Sequence, residues 1–214
     1  MSVFDSLAAR ATRARFERNQ TFLRLISTMT PPLRMLDVGG TVGYWSTAGL
    51  PLAQGIEVVL LNSFEQHVDG PFSAVVGDAR DLSKYRPREF DIVFSNSVIG
   101  HVGNFADQRR MADEIQRVGK HFFLQTPNHR FPLDWRTLMP FFHFLPARVQ
   151  AWFFARVPVG RYRRASGTSE ATVWATRIRN LNREEVGLLF PGAKVIDETV
   201  FGFTKSFLVH NFPV

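Results

Sequence analysis

The 214-residue chain contains no cysteine, which excludes disulfides and thiolate metal sites. It has no run of about eighteen apolar residues, so no membrane-spanning helix is expected. The opening stretch, MSVFDSLAARATRARFERNQ, lacks an apolar core of signal-peptide length, and a cytoplasmic location is the expectation. Neither a His-x-His nor a His-x-x-x-His spacing occurs among the six histidines, which disfavours metal-assisted chemistry. No internal repeat, low-complexity tract or linker is evident, so residues 1–214 read as a single domain.

Hydrophobic residues make up 45% of the chain and charged residues 21%, the balance of an ordinary globular protein. The net charge of +7 comes mostly from arginine. From Arg130 to Arg179 there are nine arginines against only Asp134 and Glu170. Such a segment suits a solvated face, or attracts nucleic acid, anionic lipid or an acidic substrate.

The first thirty residues predict a helix over about 3–29, with Phe16, Phe22, Leu23 and Ile26 near helical spacing. Thr30-Pro31-Pro32 ends it, since proline disfavours helix in the residue before it. The period then changes. RMLDV (34–38), IEVVLL (56–61), FSAVV (72–76), FDIVFS (90–95) and KHFFLQ (120–125) are short and nearly continuous in apolar character. That pattern suits parallel strands covered on both faces. FADQRRMADEIQRV (105–118) predicts a helix with Met111, Ile115 and Val118 on one stripe. Asn182 and Glu185 form a reciprocal cap signature, Pro191-Gly192 stops that helix, and 193–212 reads as two antiparallel strands around Gly202. Strand–helix alternation closed by a hairpin predicts a three-layer α/β fold. The segment from about 131 to 179 breaks the alternation. Its aromatics and prolines predict helical pieces folding over the sheet edge as a lid.

RMLDVGGTVGYW (34–45) places a glycine-rich turn after the first strand. In open α/β sheets ligands bind beyond the carboxyl ends of the strands, where strand order reverses. A dinucleotide turn would carry glycines at Gly39, Thr41 and Tyr44, and two of these three fail. A nicotinamide-dependent oxidoreductase is therefore disfavoured.

The observed pattern, Asp37 followed by Gly39-Gly40 and Gly43 and then Tyr44-Trp45, resembles the first motif of class I S-adenosylmethionine-dependent methyltransferases. VVGDARDL (75–82), FDIVFSNSVIGHVGNF (90–105), RVGKHFFLQTPN (117–128) and FTKSFLVHNF (203–212) resemble later segments of that family in the same order. The resemblance covers residues 30–128 well and 182–212 more loosely. It implies a Rossmann-like methyltransferase fold, with a mostly parallel seven-stranded sheet and an antiparallel C-terminal hairpin strand. It also implies S-adenosylmethionine as cofactor. By that resemblance, the backbone at Gly39, Gly40 and Thr41 contacts the methionine part, and Gly43 starts the next helix. Asp37 orients the ammonium, Asp78 accepts from the adenine amine, and the Ala79 N–H donates to a ring nitrogen. Tyr44, Trp45, Ser95 and Asn96 complete the expected cofactor site. Asp78 also suits a simple turn after a strand.

Two positions depart from the family pattern. Asn62 stands where an acidic residue usually holds the ribose hydroxyls, and an amide makes a weaker bond there; Glu65 lies close by in sequence. Gly100 precedes His101 where related sequences commonly carry glutamate.

Methyl transfer is a displacement in which positioning supplies much of the acceleration, about 7–11 kcal/mol for ideal alignment. A general base completes it when the acceptor holds a proton. His101, after the fourth strand, and His129, after the fifth, are the candidate bases; His143 equally suits a packed ring. Strand four ends in SNS rather than the Asn/Asp-Pro-Pro-aromatic sequence of base-amine methyltransferases, so DNA is not an expected partner. The expected function is methyl transfer to an oxygen or nitrogen of a small, partly apolar acceptor. A variant adds peripheral contact with anionic membrane and a lipophilic acceptor. The alternative is a non-catalytic module that binds membrane or RNA through residues 130–179.

Overall fold

The computed structural model describes residues 3–48, 55–68, 70–134, 136–200 and 202–213, without the side chains of 3–12 and 47–48. Trp135 of the aromatic segment lies outside the described residues. The strands are β1 (Leu33–Val38), β2 (Ile56–Asn62), β3 (Phe72–Val76), β4 (Phe90–Asn96), β5 (Gly119–Pro127), β6 (Lys194–Val200) and β7 (Phe203–His210). They form one sheet in the order β3-β2-β1-β4-β5-β7-β6. β1 through β5 pair in parallel, whereas β7 runs antiparallel to both β5 and β6. Strand order reverses between β1 and β4, so the crevice for a ligand lies beyond Val38 and Asn96.

The central strands β1, β2, β4 and β5 are buried almost throughout, as expected for strands covered on two faces. On one face, α3 (Phe105–Val118) and α6 (Arg183–Leu189) pack Met111, Ile115, Val118, Val186 and Leu189 against Leu36, Val93 and Phe122. On the other, α1 (Val3–Ile26) and α2 (Val42–Ala48) bring Phe22 and Trp45 onto Phe94 and Phe123. Phe94 is the hub there, with ring centroids 4.9 Å from Phe22, 5.2 Å from Trp45 and 5.8 Å from Phe123.

The reciprocal cap at α6 is present: the Glu185 N–H donates to Asn182 Oδ1 at 2.9 Å, and the Asn182 N–H to Glu185 Oε2 at 3.0 Å. α3 has a similar box built from Asn104 and Asp107. The first helix differs from its sequence reading in two ways. It ends at Ile26 rather than near 29, closing in a turn before the prolines. Phe16 is 62% exposed, because the face that packs inward continues from Phe22 through Arg18, four residues back, instead of through Phe16.

The irregular segment resolves into a short 3₁₀ turn at Phe142–Phe144, α4 (Ala147–Arg156) and α5 (Thr168–Thr176). Phe142, Ala151, Phe154, Val159, Ala165 and Ala171 pack together as a third, separate cluster. On either side of it in the chain, Phe131, Leu133, Asp134 and Arg136, and then Ile178 and Asn180, line the cavity at the carboxyl end of the sheet.

Candidate functional site at the carboxyl edge of the sheet

The glycine turn is built around a buried carboxylate. Asp37, 1% exposed, accepts a hydrogen bond from Trp45 Nε1 at 2.6 Å. A Cβ on Gly40 would fall 1.8 Å from Asp37 Oδ2, so only glycine passes over that oxygen. Gly39 has φ +79°, a conformation glycine adopts without penalty, and a Cβ there would meet Val98 Cγ2 at 2.3 Å. Asn62 Nδ2 and Gln66 Nε2 both donate to the Gly40 carbonyl, at 3.2 and 3.0 Å. Thr41, just before α2, receives the Tyr44 N–H through its carbonyl at 3.0 Å. A Cβ on Gly43 would meet nothing within 4 Å, whereas Val42 and Tyr44 on either side of it pack against the core.

Several of the residues expected at a cofactor are engaged within the protein. Asp37 and Trp45 are buried against each other, and their contact shapes the turn. Asn62 donates its amide nitrogen to the Gly40 carbonyl and accepts the Ser63 N–H on its oxygen. Ser95 is 1% exposed and donates to the Val38 carbonyl. Asp78 sits at the turn after β3, but Arg80 holds it through contacts of 2.6–3.0 Å, and the Arg80 N–H caps its Oδ1. That pairing holds its carboxyl below the usual range, with the Arg80 hydrogen bond as the main cause. The pair is half exposed, and such pairs contribute little net stability, so a competing hydrogen bond can displace it. Ala79 is buried against the core. Tyr44 donates its hydroxyl to Asn19 at 2.8 Å, and burial pushes its pKa up to about 12.

Beside this turn lies a cavity of about 390 Å³ at the ends of β4 and β5. Asn96, Ser97, Gly100 and His101 line it from the end of β4 and the loop beyond, Gln125, Pro127 and Asn128 from the end of β5, and Phe131, Leu133, Asp134 and Arg136 from the segment that follows. The loop after β4 links the glycine turn to this cavity: its Val98 stands where a Cβ on Gly39 would fall, and its Ser97, Gly100 and His101 belong to the lining. Ser97 has φ +60°, and donates its N–H to the Gln125 carbonyl at 2.9 Å. Non-glycine residues held there mark sites where the surroundings fix the backbone.

The two candidate bases are separated. His101 lines the 390 Å³ cavity. Its pKa is lowered, first by desolvation and then by Arg136 and Arg177, so its neutral form is favoured. His129 instead lines a second cavity of about 340 Å³ beneath α4 and α5, and its carbonyl contacts His143 Nε2 at 3.0 Å. His143 lines both cavities. Gly100 has a physical reason: the Arg179 N–H donates to its carbonyl at 2.9 Å, and a Cβ would sit 3.3 Å from the Arg179 carbonyl and from Asn180 Oδ1. A glutamate cannot enter between them without moving the lid's return segment.

Sequence reasoning missed the cationic rim. Arg18, 7% exposed, donates to Asn96 Oδ1 at 2.6 Å and to both oxygens of Glu198 at 2.9 and 3.0 Å. Arg18 stands four residues before Phe22 and eight before Ile26 on the apolar stripe, the one signal that marked it.

A family model described as a methyltransferase domain matches residues 36–121. A search of curated proteins finds no match. Among solved structures, a Rhodobacter sphaeroides protein described as a Zn-dependent alcohol dehydrogenase superposes with a TM-score of 0.58 at 13% identity, over 91% of this chain and 88% of that one. The Burkholderia thailandensis 1,6-didemethyltoxoflavin-N1-methyltransferase, bound to S-adenosylhomocysteine, gives 0.55 at 12% identity, over 92% and 76%. An Aquifex aeolicus S-adenosylmethionine-dependent methyltransferase gives 0.51 at 14% identity, over 92% and 89%. At these identities the structural likeness speaks for the fold.

Burial pushes Asp37 up to about 7, against the lowering effect of the Trp45 hydrogen bond. The folded chain therefore holds a proton there that an unfolded aspartate, with a pKa of about 3.9, releases. Stability from this group is present below about pH 4 and is lost as pH rises through about 7. Asp37→Asn should keep the Trp45 contact and remove this loss. Urea unfolding at pH 5 and pH 8 should show the variant gaining stability relative to wild type at the higher pH; an unchanged difference would show that Asp37 does not titrate in this range.

Proposed function

We propose a reaction from one premise: over residues 36–121 the chain is a class I S-adenosylmethionine-dependent methyltransferase domain, and S-adenosylmethionine is its cofactor. The chain transfers a methyl group to an oxygen or nitrogen of a small acceptor seated in the 390 Å³ cavity. The observation that carries this reading is the single loop after β4, whose Val98 packs at Gly39 of the turn while its Ser97, Gly100 and His101 line the cavity. A donor over the turn and an acceptor in the cavity would lie on the two sides of that loop, at the same edge of the sheet.

The turn fits the cofactor's methionine part: Val98 and Asp37 fill the spaces where Cβ atoms on Gly39 and Gly40 would stand, which holds the backbone in a tight turn at the carboxyl end of β1. Asp78 fits the adenine amine on exchanging part of its Arg80 contact, while the ribose lacks a carboxylate at position 62. When bound, the cofactor supplies an electrophilic methyl group on sulfonium. The protein's part is to orient the acceptor, exclude water beneath the lid and receive a proton. His101, favoured in its neutral form and facing the cavity, is the base of this proposal.

The outer face of the lid favours a second, compatible reading. Phe141, Phe144, Val149, Trp152 and Val157 are each at least 39% exposed, and the Arg156 guanidinium lies 4.4 Å from the Trp152 ring centroid. Aromatic and basic side chains in this arrangement suit the interface of an anionic membrane, to which each basic residue adds about 1 kcal/mol. No described helix is long and apolar enough to span a bilayer.

Titration of S-adenosylhomocysteine into the protein should release heat, and Asp78→Ala should weaken binding about tenfold to a hundredfold, the range for losing a charge-assisted hydrogen bond. Absence of binding at millimolar ligand would remove the methyltransferase reading. With an acceptor in hand, His101→Ala should lower kcat by about 10²–10⁴, and the wild-type rate should climb with pH through a value below the usual 6.5 of histidine; an unaltered kcat would exclude His101 as base. Sedimentation with vesicles containing anionic lipid should carry down the wild type and much less of the Phe141→Ser/Trp152→Ser variant. Equal recovery with neutral vesicles would end the membrane reading.

A further inference from the structure

The acceptor cavity is unevenly charged. Its lining includes Arg15 and Arg18 from α1, Arg136 and Arg161 from the lid, and Lys205 from β7, with Asp134 as the carboxylate among them. Arg136 and Arg18 are paired with carboxylates. Asp134 grips Arg136 through contacts of 2.6 and 2.9 Å, and Glu198 grips Arg18 while also accepting from the Ser206 hydroxyl. Arg15 and Arg161 have no carboxylate partner among the described residues. Arg161 is fixed beside Arg136 by its backbone, whose N–H donates to the Arg136 carbonyl at 2.8 Å. Lys205 has its pKa lowered, chiefly by burial and then by the nearby charges of Arg18 and Arg15, with Glu198 opposing.

Cations gathered from three separate elements around one cleft repel one another and concentrate a positive field inside it. Guanidinium groups match carboxylate and phosphate oxygens in planar, two-pronged geometry. Asn128 and Asn180 add neutral polar groups to the same wall, while Phe131, Leu133 and Ile178 leave an apolar side. From this arrangement we infer that the cavity binds an anionic group, a phosphate ester or a carboxylate, carried by an otherwise partly apolar acceptor. The word acceptor rests on the methyltransferase reading; the anion site itself rests on the cavity.

The test uses the full chain and the arginine reagent phenylglyoxal, with modified residues located by mass spectrometry. Ionic strength is held constant with chloride, and S-adenosylhomocysteine is present in every arm except one control that omits it. One arm adds inorganic phosphate and the other citrate. Labelling of Arg15 and Arg161 should slow about fivefold in at least one arm, as a ligand at roughly four times its dissociation constant produces. Arg148 and Arg164, outside the cavity lining, should label at unchanged rates. The protecting arm tells phosphate from carboxylate, and Arg161→Gln should reduce the protection at Arg15. Equal rates at cavity and control arginines would overturn the proposal. So would full protection by S-adenosylhomocysteine alone with no further effect of either anion, since that would assign the cations to the cofactor's own carboxylate. Anion protection without any heat of S-adenosylhomocysteine binding in calorimetry would instead sink the methyltransferase reading and leave the anion site standing.

Discussion

Everything at the carboxyl edge of the sheet is arranged around one buried contact, the carboxylate of Asp37 against the indole nitrogen of Trp45. The carboxylate occupies the space beneath Gly40, so the backbone passes over it without a side chain. The indole lies in the aromatic cluster around Phe94, which ties the glycine turn to the packing of α1 and α2 on the sheet. Asn62 and Gln66 complete the turn from outside by holding the Gly40 carbonyl. Turn geometry therefore depends on the core beneath it as much as on its own glycines.

A second constraint closes the opposite side. Arg18 joins the first helix to the end of β4 and to β6, through Asn96 and Glu198. Because Arg18 and Glu198 are both nearly buried, losing either would strand the other as an uncompensated charge. Arg15, three residues before Arg18 on the same helix, and Lys205 of β7 line the cavity together with it.

Much of the fold was legible in the sequence because the sheet imposes short periods. RMLDV, IEVVLL and FDIVFS are apolar on successive residues because β1, β2 and β4 are covered on both faces. Asn182 and Glu185 announced α6 because the reciprocal cap is local. The lid was harder, since Pro140, Pro146 and Pro158 bound pieces too short to show a helical period, with α4 spanning ten residues and α5 nine. In the site, the glycines and Asp78 stood out, yet the partners that occupy them did not. Trp45 on Asp37 and Arg80 on Asp78 are side-chain contacts that the spacing of the motifs does not encode. Arg18 and Glu198 lie 180 residues apart, and no local pattern couples them. His101 and His129 looked equivalent by position, and the lid's packing assigns them to different cavities.

The lid keeps its own interior. Phe142, Phe154, Val159 and Ala171 pack among themselves rather than into the clusters on either face of the sheet. Substitutions inside that small cluster can accumulate while the glycine turn stays intact. The scaffold is in this sense modular: exchanging one helical hairpin would reshape the cavity beside it and its outer surface together, a single cassette open to evolution or to a protein engineer.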